Sequence, residues 1–458
     1  MINKNSLLIL LGPVIALITY ALCRQSGLEY PAAATAGVTL LCLVWWVFEP
    51  IPIPVTSLMP LALFPLLGIL TGIDVAQAYG SPLILLLLGG FLLSRAMEST
   101  GAHRRVALFM VALFGSMSAR RLIMGFMVAS AVLSMWISNT ATTLMLLPVA
   151  LAILERAEDK RLAVPLLLGV AYAASIGGMG TPIGTPPNLV FMQVYREHTG
   201  VDVGFVQWMS WAVPVVVVMV PVAAFWLTRN LKGVAGVDIP AQGSWTTAQR
   251  RVMVVFALTA LAWITRKAPF GGWSGIFDMP YANDASVAFI AVAALFIVSD
   301  GKGGKLLDWA HAERIPWGVL LLFSGGITLA KAFQQSGLSS ELAGLLSAVS
   351  ILPVILMIAL LALGVSFLTE TTSNTASTTL LMPVLAATAI AADIDPALLM
   401  VPAAMSASCA FMLPVATAPN SVVYGSGVIP AGIMAREGFV LNLFGAVIIT
   451  LVCYWRLA

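Results

Sequence analysis

A chain of 458 residues with 60% hydrophobic and 9% charged side chains carries too little charge to coat a water-facing surface, for which roughly 25% is usual. Four cysteines without a CxxC pair (Cys23, Cys42, Cys409, Cys453) and three histidines in loops or loop edges (His103, His198, His311) leave almost nothing for a metal centre or a histidine-driven enzyme. Apolar runs of about 20 residues recur along the whole length, the thickness of a bilayer core, so the composition predicts an all-α polytopic membrane protein.

In chain order, spans are expected near 7–23, 31–48, 54–70, 82–98, 161–180 continuing to about 199, 207–228, 252–266, 284–299, 316–333, 397–413 continuing to about 430, and 438–455. Counting each interrupted run once, that makes eleven transmembrane helices. The first run follows a single lysine, Lys4, and lacks a small-residue cleavage site, so it reads as a span and not as a removable signal. Two further segments, 121–154 and 345–392, do not fit the pattern. The first is entered by Arg120 and Arg121 and left by Arg156, Lys160 and Arg161, and basic residues favour the cytoplasmic side. Its arms, Leu122–Ile137 and Ala141–Ile153, are short for full crossings. The expectation is a re-entrant hairpin with Ser138, Asn139 and Thr140 at its tip. The second segment is flanked by Ser339, Ser340, Glu341, Asp393 and Asp395, with no basic residue, which predicts an opposed hairpin entering from outside. Threaded with a cytoplasmic N-terminus and an outer C-terminus, the chain puts only Arg24, Arg196, Arg266, Lys267, Lys331 and Arg456 outside, leaving 17 of the 23 Lys and Arg inside.

Three landmarks occur twice. Gly89-Gly90 is echoed by Gly325-Gly326, the triplet at Ser138 by the triplet at Ser373, and GTPPN from Gly184 by ATAPN from Ala416, at offsets of 236, 235 and 232 residues. With the first span set aside, each repeat copy holds an odd number of spans, so the second copy is inverted, an arrangement that puts binding sites near the midplane at the repeat interface. The longest soluble connection, about Thr228 to Arg251, separates the halves. A helix broken at GTPPN or ATAPN frees carbonyls before the break and N–H groups after it, and Pro187 and Pro419 suit the first turn of the new helix. Ser138 and Ser373 suit the caps of the hairpin return arms. N-terminal half-helix ends attract anions, while carbonyl, Ser, Thr and Asn oxygens attract a small hard cation such as Na⁺. No Lys or Arg stands in the four motifs, so a co-bound cation is the natural offset for an anion there. The glycine pairs read best as close helix packing. Glu370 is a possible ion or proton ligand, but with no acidic counterpart in the first half a capping or structural role is the better reading.

WISNTATTLMLLP, GTPPN, LTETTSNTASTTLLMP and ATAPN resemble the motifs of the divalent anion:sodium symporter family, the di- and tricarboxylate transporters. Span count and spacing extend the likeness over nearly the whole chain. The resemblance implies a homodimer in the bilayer of a bacterial-type inner membrane, each protomer working as an elevator. Residues 1–119 and 252–344 would form the scaffold, 120–231 and 345–458 the transport domain, and 232–251 a cytoplasmic linker. It implies one sodium ion held around Ser134, Ser138, Asn139 and Gly184, and a second around Thr369, Thr372, Asn374 and Ala416. The substrate carboxylates would meet Asn139, Thr140, Ser373, Asn374 and Thr375, with Thr185, Thr417 and Ala418 close by. The chain departs from a strict repeat at Ala418-Pro419, where the first break reads Pro-Pro.

The leading expectation is sodium-coupled uptake of a C4-dicarboxylate such as succinate, fumarate or malate, with co-transported Na⁺, no organic cofactor and no nucleic-acid partner. A sodium-independent dicarboxylate exchanger, or a sodium symporter for citrate or sulfate, stays open beside it. An intramembrane serine hydrolase lacks a general base near Ser138 or Ser373. A channel is separated from a carrier by counterflow.

Overall fold

The computed structural model describes residues 4–115, 118–235, 243–267, 271–341 and 352–458. The middle of the expected 232–251 linker and the first residues of the 345–392 segment lie outside the described residues. Among those described the chain is helical, with isolated bridges only at Ser118–Ala235 and Ser299–Lys305. Among the described residues, nine stretches are long and apolar enough to cross a membrane, and the remaining apolar helices are shorter.

Helices α1 (Lys4–Gln25) and α2 (Tyr30–Phe48) pack as a pair. Gly37 makes this possible: a Cβ there would lie 2.9 Å from the Ala16 carbonyl oxygen. The outer face of α1 is left apolar, with Leu7, Leu10 and Leu17 at least 60% exposed, the state expected of a lipid-facing helix.

The run expected as one span at 54–70 is two short helices, α3 (Ile53–Thr56) and α4 (Met59–Leu66). Pro52, Pro54, Pro60 and Pro65 remove backbone donors along this stretch, so one continuous ladder cannot form. The break at Ser57 is satisfied by long-range partners: the Tyr79 hydroxyl donates to the Ser57 carbonyl at 2.5 Å, and Trp46 Nε1 donates to the Ser57 hydroxyl at 3.1 Å. Next come α5 (Gly72–Tyr79), opened by a capping box between Thr71 and Asp74, then α6 (Pro82–Ser99) and α7 (Ala102–Phe114). Neither α5 nor α7 was expected from the sequence.

The first hairpin consists of α8 (Ala119–Ser134) and α9 (Asn139–Arg156), with Met135–Ser138 as its tip. Trp136 on that tip stacks near Phe205 and Trp263, at centroid distances of 5.9 and 6.4 Å. The interrupted span follows as α10 (Ala163–Gly178) and α11 (Pro186–Thr199), and then α12 (Phe205–Leu227).

The second half opens with α13 (Thr247–Ile264), α14 (Gly272–Ile276), α15 (Asp284–Ile297), α16 (Trp309–Ala312) and α17 (Trp317–Gln335). Its hairpin is α18 (Val354–Leu368) and α19 (Asn374–Ala391); the second interrupted span is α20 (Ala397–Ser406) and α21 (Ala418–Tyr424), and α22 (Ala431–Leu457) closes the chain.

The order hairpin, buried helix, break, half-helix, long helix therefore occurs twice. The buried helices are the centre of the molecule: α10 is buried from Pro165 to Gly178 and α20 along all of its length. The halves also interlock. Helix α11 packs on α19, the return arm of the other hairpin, while α21 packs on α9 and α10.

Candidate functional site at the hairpin tips and helix breaks

At the first tip, the Ser138 hydroxyl accepts from Ala141 N at 3.2 Å, capping α9 as its residue type predicts. One turn back, at the end of α8, the Ser134 hydroxyl donates to Asn139 Oδ1 at 2.6 Å, and Thr143 Oγ1 donates to the Asn139 carbonyl at 2.9 Å. The break after α10 comes close to the same group. A Cβ on Gly178 would sit 2.6 Å from Asn139 Oδ1, and one on Gly184 would meet the Gly178 carbonyl and lie 3.0 Å from that of Ser134. Ser134, Asn139 and Gly184 are thus brought together, with Ser138 next in the chain. The oxygens gathered there (a Ser carbonyl, a Gly carbonyl, an amide oxygen) are neutral and hard, a donor set suited to Na⁺.

The second tip repeats this geometry. Ser373 Oγ accepts from Ala376 N at 3.5 Å; Thr369 Oγ1 lies 2.7 Å from Asn374 Oδ1 and 3.0 Å from the Ala407 carbonyl; Thr378 Oγ1 donates to the Asn374 carbonyl at 2.7 Å. Thr372 Oγ1 lies 2.8 Å from the Leu368 carbonyl and 2.6 Å from Ser377 Oγ. Ala416 lies in the turn of the second break, where its N–H donates to the Leu413 carbonyl at 3.2 Å, and it shows no direct contact with this tip among the described residues. Thr417 caps α21 by accepting from Asn420 N at 3.2 Å, whereas Thr185 caps α11 through its backbone conformation alone.

The two breaks are not equally open. Thr181 to Thr185 are buried, while Pro414, Ala416 and Thr417 are half-buried and Val415 and Ala418 exposed. Around the tips, Ser138 is exposed, Asn139, Thr140, Ser373 and Asn374 are half-buried, and Thr375 is buried. Asn139 and Thr140 begin α9, Asn374 and Thr375 begin α19, so their N–H groups lack intrahelical partners and form anion-seeking ends. The cross-packing of α21 on α9 and of α11 on α19 joins the half-helix after each break to the return arm of the other half's hairpin.

Two devices escape a reading of residue types alone. Asn188 Nδ2 reaches back to the carbonyls of Gly178 at 3.0 Å and Thr181 at 2.7 Å, and Asn420 Nδ2 to those of Ala410 and Leu413, both at 3.0 Å. Each asparagine satisfies carbonyls that the helix break releases. Each also keeps its Oδ1 buried without a partner among the described residues. The only signal for this was the shared final Asn of GTPPN and ATAPN. Glu370 is the second device. Its carboxylate accepts from Met412 N at 2.9 Å, Leu413 N at 3.0 Å and Asn442 Nδ2 at 2.7 Å, so it caps the second break, the structural role preferred for it on sequence grounds.

Similarity to known proteins agrees with this architecture. A family model described as the sodium:sulfate symporter transmembrane region matches residues 3–458. The Sodium-dependent dicarboxylate transporter SdcS of Staphylococcus aureus (strain USA300) is 38% identical over 472 residues, covering 98% of this chain and 90% of that protein. The bovine strain RF122 / ET3-1 carries a protein of the same name at 37% identity with the same coverage. Among solved structures, the Alcanivorax borkumensis YdaH transporter superposes with a TM-score of 0.60 at 14% identity, over 93% of this chain and 99% of that one. Neisseria gonorrhoeae MtrF gives a TM-score of 0.53 at 13% identity, over 94% and 95%. At those identities the likeness is one of fold.

Proposed function

Because the chain belongs to the sodium:sulfate symporter family, we propose that it is a secondary active transporter coupling inward sodium movement to uptake of C4-dicarboxylates such as succinate, fumarate and malate. It is an integral membrane protein and a transporter, not an enzyme. The observation that carries the substrate and ion reading is the pair of matched bridges, Ser134 to Asn139 and Thr369 to Asn374, each at a hairpin tip with no Lys or Arg in its motif.

On this reading one Na⁺ binds among Ser134, Ser138, Asn139 and Gly184, the other among Thr369, Thr372, Asn374 and Ala416. The carboxylates are received by the half-helix ends at Asn139, Thr140, Ser373, Asn374 and Thr375, with Thr185, Thr417 and Ala418 beside them. A dicarboxylate entering alone would set two negative charges against partial dipoles only, which is unfavourable in a low-dielectric site. Two bound cations remove that cost, so substrate binding waits on sodium and the flux of one is tied to the other. The topology proposed is eleven spans with a cytoplasmic N-terminus and an outer C-terminus. The two hairpins and their neighbouring helices move as an elevator against a scaffold that holds the homodimer, with the division at residues 119, 231, 251 and 344.

The test is uptake of labelled succinate into proteoliposomes under an inward sodium gradient, against an equal potassium gradient. Strict sodium dependence is expected. Uptake that ignores sodium but needs internal dicarboxylate would make the protein an exchanger. Sulfate or citrate displacing the label better than unlabelled succinate would reassign the anion.

A further inference from the structure

Beside the first hairpin lies a cavity of about 480 Å³ that no motif announces. One wall is helix α9, with Ala141, Leu144, Met145 and Pro148; the other is the junction of α6 and α7, with Glu98, His103 and Arg104. Ala141 is the next residue after Asn139 and Thr140, so the lining starts beside the proposed substrate-binding tip, though neither of those two residues lines it, and runs about 10 Å along α9 at 1.5 Å per residue. Facing α9 are the charged residues of the α6–α7 turn, which the positive-inside rule places at the cytoplasmic face.

The two walls differ in chemistry. Apart from Ala141, the α9 wall offers hydrocarbon and thioether groups, which suit the methylenes of a short diacid. On the facing wall, Glu98 is held by Arg95 in an ion pair of 2.5 Å, so its charge is already matched. His103 commits Nδ1 to the Met97 carbonyl at 2.9 Å. Arg104 is exposed, lines the cavity and has no carboxylate partner among the described residues. A guanidinium with no carboxylate partner among the described residues, set opposite an apolar wall, is a receptor for an aliphatic carboxylate.

We propose that this cavity is a transit site for the dicarboxylate between the central site and the cytoplasm, with Arg104 as the residue that binds the carboxylate there. This rests on the transport function proposed above. Such a site lowers the concentration of internal anion needed to load the inward-open protein and leaves loading from outside untouched. Arg104 is then a specificity-determining residue for one side only.

Right-side-out and inside-out membrane vesicles test this with labelled succinate, comparing wild type with Arg104→Gln, Arg104→Lys and, as a control on the same charged face, Arg121→Gln. Arg104→Gln should raise the half-saturating cytoplasmic-side succinate concentration about fivefold, the effect of losing one solvent-screened charge pair. The outer-side value should stay at wild type, and Arg104→Lys should restore most of the loss. No shift on either side, an equal shift on both, a shift on the outer side alone, or the same shift from Arg121→Gln would overturn the assignment. Wild-type vesicles that fail to take up succinate on a sodium gradient would remove the transport reading itself, and the transit site with it.

Discussion

Asn188 and Asn420 each hold a broken helix end together with one carboxamide. Replacing Asn188 with Leu, of similar size but without donors, leaves the buried carbonyls of Gly178 and Thr181 without that partner. A loss of about 1–3 kcal/mol is expected, read as a lower midpoint in thermal unfolding of the purified protein. An unchanged midpoint would mean that water replaces the amide. His103 gives a second expectation. Burial holds its imidazole below the ordinary value of 6.5, with the Met97 carbonyl and the Glu98 charge opposing and the Arg104 charge assisting that shift. The fold therefore favours the neutral ring; that stabilisation is complete above 6.5 and is lost as pH falls through the lower, folded value. Protonation frees Nε2 to donate beside Arg104, and α9 faces it with no ionisable group in the cavity. Cytoplasmic-side succinate should then bind more tightly as internal pH falls through that lower, folded value, and His103→Gln should flatten that profile. At this scale the sequence was informative about the triplets, because both copies carry the same residues in register. It was silent on the partners of Glu370, which lie 42, 43 and 72 residues away. Contacts at such separation leave no local pattern to read.

The glycine pairs show how whole elements fit. Gly89 faces Ala288 on α15, where a Cβ would come within 2.5 Å of the Ala288 Cβ, and Gly325 faces the Ser57 carbonyl at 2.6 Å. Their neighbours face the other way: Gly90 lies against Ile183 in the first break and Gly326 against the Thr379 methyl on α19. Each pair lets α6 or α17 touch a segment of the expected scaffold through one glycine and a hairpin or break through the next. Gly326→Ala should therefore slow transport severely, and Thr379→Ser, which removes the opposing methyl, should restore it in the double variant. Initial uptake rates of the single and double variants check this. Failure of the second change to rescue would mean that Gly326 serves another purpose. The long helices were legible because an apolar run of bilayer length has one economical structure. The run at 54–70 was legible as apolar but not as broken: its prolines, which interrupt the backbone ladder, carry no weight in a hydropathy pattern. Helices α5 and α7 are too short or too amphipathic to register as spans.

Across the whole molecule the two halves match in order and in bridges but not in fit. Gly178 and Gly184 allow close backbone approach in the first half, where Ala410 and Ala416 stand in the second, and the first break is buried while the second is partly open. Sodium should raise the unfolding temperature of the purified protein by binding the folded state alone. Asn139→Ala and Asn374→Ala should each abolish succinate uptake, each keep part of that sodium-dependent rise, and lose it altogether when combined. The Asn139 variant should lose the larger share, since its oxygens sit in the tighter cage. A full sodium response in both single variants would displace the two cation sites from the tips.

The exchange of α11 onto α19 and of α21 onto α9 also bears on how the protein is made. A ribosome delivers the first hairpin and the half-helix α11 long before α19 and α21, their packing partners in the final quarter of the polypeptide, exist. Neither half can be proofread alone. Truncation near the C-terminus should therefore harm the earliest-made hairpin as much as the missing segment, and membrane quality control should meet this chain as one indivisible unit.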